Sequence, residues 1–444
     1  MLSCNLGEFF VIESVFSYLS SFEEMLWSYL CIPLMIALGI YFSIRFRFSQ
    51  LLKFNSIIKL FIQTLKEPWG KDQGIHPISA FFASIGGCIG IGNIVAVCTA
   101  IQIGGPGAIF WMWVAAFFGM VIKYSEVYLG YIHRQPDGKG GYNGGPMYFL
   151  PKVFKSPVIP IIVSVLLCIY GTEIYMFKIV TYSIVENWGF NQYLVIALLL
   201  GMVIYVASGG VDRVGKISGV IIPLFLLVFV GMSFWVLLKN ISAWPSMFAT
   251  IFSSAFTGHA AVGGFAGSGI LLSMSQGVAR GCYTGDIGIG YASVVQAEAR
   301  CQDPKKQAKL AILGIFLDTF IICTMSTLLV MVTGVWQEGT SASLMVQKAL
   351  SMYFPYMNLY MPIFLFILGY SSLIAFFCVG LKCARFIHNK RGAMVYYIYS
   401  VVSFILFSFI DQSYALMVMS ITGACLLLIN VSGMYLMRQE IEAF

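Results

Sequence analysis

The chain has 444 residues, 59% of them hydrophobic and only 10% charged. A soluble domain averages about 25% charged residues, so a water-soluble globular domain is excluded, and lipid must be part of the solvent. The formal net charge of +7 comes from basic residues between apolar runs, the pattern of membrane topology rather than of a polyanionic partner.

The first apolar run, Met25–Ile44, has no basic stretch before it and ends in Arg45 and Arg47. It reads as a permanent span, not a cleaved leader. About 20 apolar residues cross the roughly 30 Å of hydrocarbon. Eleven runs meet that length, near 25–44, 77–102, 105–131, 156–184, 192–208, 215–237, 245–275, 308–334, 356–387, 393–410 and 413–437. The lysine-interrupted stretch Leu51–Lys66 has helical apolar spacing and is expected to lie along the membrane interface. Gln135–Met147 reads as a Gly/Pro-rich turn. Basic residues crowd alternate loops, Arg280 and Arg300 among them, while the opposite loops hold only Lys239 and Lys348. The chain is therefore expected to be multi-pass in the cell membrane, with its N-terminus outside and its C-terminus cytoplasmic.

Two spans carry glycines where helices tolerate them poorly, at about 1 kcal/mol each. One is Ser84–Val97, with Gly86, Gly87, Gly90 and Gly92. The other is Phe256–Gly269, with Gly258, Gly263, Gly264, Gly267 and Gly269. GxxxG packing accounts for such glycines in one way. Helix breaks lining a binding site account for them in another, and interrupted segments at matching places in two halves are the sequence mark of a secondary transporter. The breaks also carry Asn93, Thr257 and His259. The predicted layout is one membrane domain: residues 1–76 form an added N-terminal span and interfacial segment, 77–237 a first repeat and 245–437 an inverted second.

No chemistry beyond transport is indicated. The 11 cysteines form no CxxC pair and the four histidines no HExxH, so neither a metal nor a cofactor is expected. Gly90-Ile91-Gly92 is followed by Val95 where a dinucleotide fingerprint needs a third glycine. Ser268 and His259 are the only tempting nucleophile–base pair, so the chain is read as no enzyme.

The stretch GIGNIVAVCTAIQIGGPGAIFWMWVAAFFGM (90–120), with GGPMYF (144–149), SSAFTGHAAVGGFAG (253–267), GVARG (277–281), GDIGIGYA (285–292) and LDTFIICT (317–324), resembles the alanine or glycine:cation symporters. That resemblance implies an all-α LeuT-type fold, a five-plus-five inverted repeat with two discontinuous helices, and import of alanine or glycine with Na+. It places the substrate carboxylate on the amides of Gly90, Ile91 and Gly92 beside Asn93. The ammonium falls near the carbonyls of Phe256, Thr257 and Gly258, with Ser372 and Phe376 on the ninth span. Sodium falls between the carbonyls of Gly86 and Ile89 and the hydroxyls of Ser371 and Ser372. Departures are local: Cys88 and Ile91 stand where the family has threonines, and Glu173 falls where it has small or amide residues.

Ionisable residues inside spans default to function. Lys123 and Glu126, three apart, are expected to pair. Asp318 either orients a broken helix or helps to bind the cation or ammonium. Glu173 and His259 motivate an alternative reading, H+-coupled transport on the same fold. A channel or a non-transporting sensor is the remaining class.

Overall fold

Backbone groups in hydrocarbon must bond within the chain, and the described residues are accordingly helical nearly throughout, with one two-stranded hairpin. The computed structural model describes residues 6–68, 74–138, 140–207, 209–257, 269–301 and 303–443. Helix α1 (Leu6–Met25) runs through a π-helical turn, Leu26–Cys31, into α2 (Ile32–Arg45). The first membrane-length stretch is therefore Phe16–Arg45, longer than the expected run. Short α3 (Ser49–Leu52) and amphipathic α4 (Phe54–Leu65) follow, α4 burying Ile57 and Thr64 and exposing most of its other side chains.

Helix α5 (Pro77–Cys88) starts at a proline, with His76 Nδ1 accepting the Ile78 amide at 3.2 Å. It breaks at Ile89 and resumes as α6 (Ala96–Gly104), the two halves bent by 51°. Next come α7 (Gly107–Ile132), the hairpin β1 (Gln135–Pro136) with β2 (Tyr142–Asn143), and α8 (Pro146–Phe154). Helices α9 (Val158–Gly171) and α10 (Ile174–Trp188) divide the single span expected at 156–184. Then follow α11 (Gln192–Ala207), α12 (Gly210–Phe225), α13 (Gly231–Lys239) and α14 (Trp244–Thr257).

Of the run expected to hold the second break, 256–269, residues 258–268 lie outside the described residues. Phe256 and Thr257 close α14 and are exposed, and Gly258 and His259 lie outside the described residues. Among the described residues the second interrupted helix is α15 (Ile270–Gly285), which ends in a non-helical turn, Asp286–Gly290, before α16 (Tyr291–Gln296) resumes. Arg280, expected in a loop, is buried within α15. The reason is physical: α15 packs against α7 and α6, so protein rather than lipid covers its polar side chains.

The chain closes with α17 (Pro304–Ile315), a π-helical segment Phe316–Cys323, α18 (Thr324–Val332), α19 (Ala342–Ser351), α20 (Met357–Ser408) and α21 (Gln412–Leu436). Asp303 caps α17 and Asp411 caps α21, each carboxylate accepting an amide. Helix α20 leaves helical geometry at His388 and Asn389, so one stretch covers both of the last expected runs before α21. Among the described residues, seven stretches are long and apolar enough to span a membrane, and the bent α5–α6 pair makes an eighth.

Candidate functional site

The two interrupted helices meet. Tyr291, the first residue of α16, donates its hydroxyl to the Ala83 carbonyl of α5 at 2.7 Å. A Cβ on Gly87 would lie 2.3 Å from that hydroxyl, so only glycine permits the approach. Lys123 of α7 joins both breaks: its ammonium donates to the Gly285 carbonyl at 2.6 Å, contacts Cys88 Sγ at 3.3 Å and stands 3.8 Å from Asp286. The expected Lys123–Glu126 pair is thereby corrected. Glu126 stays buried beside Ser293, while the lysine turns to the carbonyl end of α15, where the helix dipole favours a cation.

Each break has its own support. At the first, the Gly90 amide donates to Asn93 Oδ1 at 2.8 Å, and Asn93 Nδ2 donates to Asp318 Oδ1 at 2.6 Å. The Thr319 hydroxyl donates to the other Asp318 oxygen at 2.8 Å. Asp318 sits in the π-helical segment, a deviation common at functional sites, and in this geometry it orients the break through Asn93. The Gly90 amide is thus taken by Asn93. Ile91 and Gly92, at the start of a short 3-10 turn, present amides that the turn itself does not use. At the second break, Asp286 adopts a left-handed backbone (φ +50°) and accepts the Ala292 amide at 2.8 Å. Gly290 has φ +110°, and Asn430 of α21 donates to the Gly288 and Ile289 carbonyls at 3.1 and 2.8 Å.

The carbonyl end of α5 carries an oxygen cluster. Ser372 Oγ donates to the Gly86 carbonyl at 2.8 Å and lies 3.5 Å from the Ile89 carbonyl. The hydroxyls of Ser371 and Ser218 are 2.8 Å apart, and Ser218 presses against Gly86. All three serines are buried. The structure therefore brings together Gly86, Ile89, Ser371 and Ser372 and adds Ser218 of α12, which no motif singled out. Its only sequence signal is a serine in an apolar helix.

Aromatic rings wall the first break. Phe376 is buried, 4.1 Å from the Tyr291 ring centroid and 5.5 Å from that of Tyr170. Tyr283 of α15 abuts Gly92, and Met176 and Ser372 abut Gly90. Glu173 occupies the α9–α10 break in a left-handed conformation (φ +49°), fully buried. Its Oε2 accepts the Tyr283 hydroxyl at 2.8 Å, and its Oε1 has no hydrogen-bond partner among the described residues. Lys178 turns away from it, to the Ser408 carbonyl at 2.7 Å.

Ion pairs stand beyond the site along α15 and α16. Arg280 faces Glu23 of α1 at 3.6 Å. Past α16, Glu298 pairs with Lys382 of α20. Burial holds the Glu298 carboxyl above its usual range, against the weaker opposing pull of Lys382.

A model described as the sodium:alanine symporter family matches residues 12–443. The chain belongs to the sodium:alanine symporter family. The transporter YflA of Bacillus subtilis (strain 168) is 33% identical over 87% of this chain and 84% of its own. The sodium/alanine symporter AgcS of Methanococcus maripaludis is 30% identical over 86% of this chain and 85% of its own. A solved Na+-coupled sialic acid symporter, substrate-bound and outward-open, matches with a TM-score of 0.55 at 13% identity, covering 93% of this chain and 87% of that one. This last likeness is one of fold. The symporter family thus identifies a multi-pass, helical membrane transporter, concerned with amino-acid symport and not an enzyme.

Proposed function

We propose that this symporter imports a small neutral amino acid, alanine or glycine, together with Na+ by alternating access. The observation that carries the reading is the oxygen cluster at the end of α5, where the Gly86 and Ile89 carbonyls meet Ser371 and Ser372. Sodium suits hard neutral oxygens. The carbonyl end of a helix adds negative partial charge without a buried carboxylate, and Ser218 joins the set.

The substrate carboxylate is assigned to the Ile91 and Gly92 amides, next to Asn93. The ammonium is assigned to the Tyr283 and Thr284 carbonyls near the end of α15, since Lys123 holds that of Gly285 and Ile287 that of Cys282, in place of Phe256, Thr257 and Gly258. Phe376, Tyr170 and Tyr283 limit the side chain. The two halves are then five spans each: α5–α6, α7, α9–α10, α11 and α12–α13, followed by α15–α16, α17–α18, the two arms of α20, and α21. The first span stands outside this core. The N-terminus is assigned outside and the C-terminus to the cytoplasm of the cell. One cation moved through 100 mV supplies about 2.3 kcal/mol, more than the roughly 1.4 kcal/mol of a tenfold gradient.

One observation favours a second reading. Glu173, buried beside the first break with an unpartnered oxygen, is a group that H+ coupling could use. Uptake of labelled alanine and glycine into proteoliposomes separates the two. Accumulation driven by a Na+ gradient, and not by an H+ gradient, is the expected result. Accumulation driven by H+ alone would contradict the sodium assignment and move the coupling role to Glu173. Equilibration without accumulation would mark a channel.

A further inference from the structure

A cavity of about 500 Å³ lies apart from the two breaks, between α1, α6, α15 and α21. Its lining is polar for a membrane protein. Arg280, Gln276 and Ser275 come from α15, Thr99 from α6, and Glu23 and Glu24 from α1. Arg280 is the informative member. Its side chain is 4% exposed, and its Nη2 reaches Gln276 Oε1 at 3.3 Å and Glu23 Oε1 at 3.6 Å. Its Nε and Nη1 have no hydrogen-bond partner among the described residues. A guanidinium has five donors in a planar fork, and buried donors left unmade are costly. The matching group is a carboxylate taken by two parallel hydrogen bonds, along the edge that Nη2 shares with Nε or with Nη1. Glu23 is too far away to close such a bond, and together with Glu24 it places negative charge in the same cavity.

A guanidinium with N–H groups to donate to a carboxylate, beside a pair of carboxylates, is the complement of one zwitterion. The cavity also adjoins the route inward. Arg280 stands one turn of α15 before Tyr283, whose ring abuts Gly92 at the first break. We propose that this cavity is an outer binding site for a zwitterionic amino acid, with the carboxylate on Arg280 and the ammonium between Glu23 and Glu24, occupied before the central site. The proposal rests on the amino-acid reading given above.

The test is equilibrium binding of labelled alanine and of labelled glycine, in Na+, to the purified full-length protein. Wild type is compared with Arg280→Gln and with Ser20→Trp, which fills the cavity from an exposed position on α1 and leaves the arginine in place. Two molecules bound per wild-type chain, and one in each monodisperse variant, is the expected result. One molecule in wild type, with number and affinity unchanged in both variants, overturns the outer site and leaves the amino-acid reading standing. Two molecules in both variants likewise overturns it. No binding of either amino acid to any of the three proteins overturns the proposal and the amino-acid reading together.

Discussion

The two helix breaks do the same job by different means. The first, at Ile89–Gly92, is held by neutral side chains and one carboxylate in relay, from the Gly90 amide to Asn93 to Asp318. The second, at Asp286–Gly290, is held by a charge, with Asp286 and the Gly285 carbonyl both turned to Lys123. The first leaves carbonyls and amides for ligands. The second locks its own carbonyl to a resident ammonium. On the function proposed above, one break exchanges an ion and the other keeps one.

The largest effect should come from removing that resident charge pair. Asp286→Asn keeps a residue tolerant of the left-handed backbone and keeps an acceptor for Ala292, but leaves Lys123 buried without its counter-charge. Breaking a buried pair costs about 3–5 kcal/mol, so thermal melting in detergent should fall sharply and uptake should vanish. The double variant Lys123→Met with Asp286→Asn should recover much of the melting temperature. Equal melting of the single and double variants would show that the pair does not hold the second break.

Gly87→Ala comes next, because it separates the breaks. The added Cβ meets the Tyr291 ring and hydroxyl, and overpacking of this kind costs about 1–3 kcal/mol. Uptake should drop steeply while the protein remains purifiable. Unchanged uptake would mean that the breaks need not touch.

Ser371→Ala and Ser218→Ala sharpen the contrast further. Each should raise the Na+ concentration for half-maximal uptake about tenfold, equivalent to about 1.4 kcal/mol, with little change in melting without Na+. An unchanged Na+ requirement in both serine variants would move the ion away from the first break.

The smallest effect is expected at Phe256→Ala. Phe256 is 55% exposed at the end of α14, where it touches the Phe110 and Trp111 rings. Melting should move by about 0.5 kcal/mol or less and uptake should stay at the wild-type level. Loss of uptake would restore α14 to the site.

The difference between the breaks also explains what could be read from sequence. Gly86, Gly87, Gly90 and Gly92 interrupt a long apolar run, so the first break stood out against its surroundings. The second lies between a 16-residue and a 6-residue half, and α15 carries Ser273, Ser275, Gln276 and Arg280. Hydropathy reports contact with lipid, and α15 is covered by α6 and α7, so its polarity resembled a loop. The glycines of 256–269 give the stronger sequence signal for a break, and GDIGIGYA is visible only as a family motif. The α9–α10 break escaped for the opposite reason: Glu173 takes the left-handed turn without a glycine. Ser371 and Ser372 were legible only through the resemblance, and Ser218 needed the packing of α12 on α5. Helix positions were otherwise largely readable, because length and apolarity are what the bilayer demands.

Hydrogen exchange read by mass spectrometry, on the full-length protein with and without Na+ and alanine, tests the central claim that the two breaks form one site. The account predicts that Na+ with alanine protects residues 86–94 and 284–292 together and leaves 250–257 unchanged. Protection at 250–257 with none at 284–292 would contradict it.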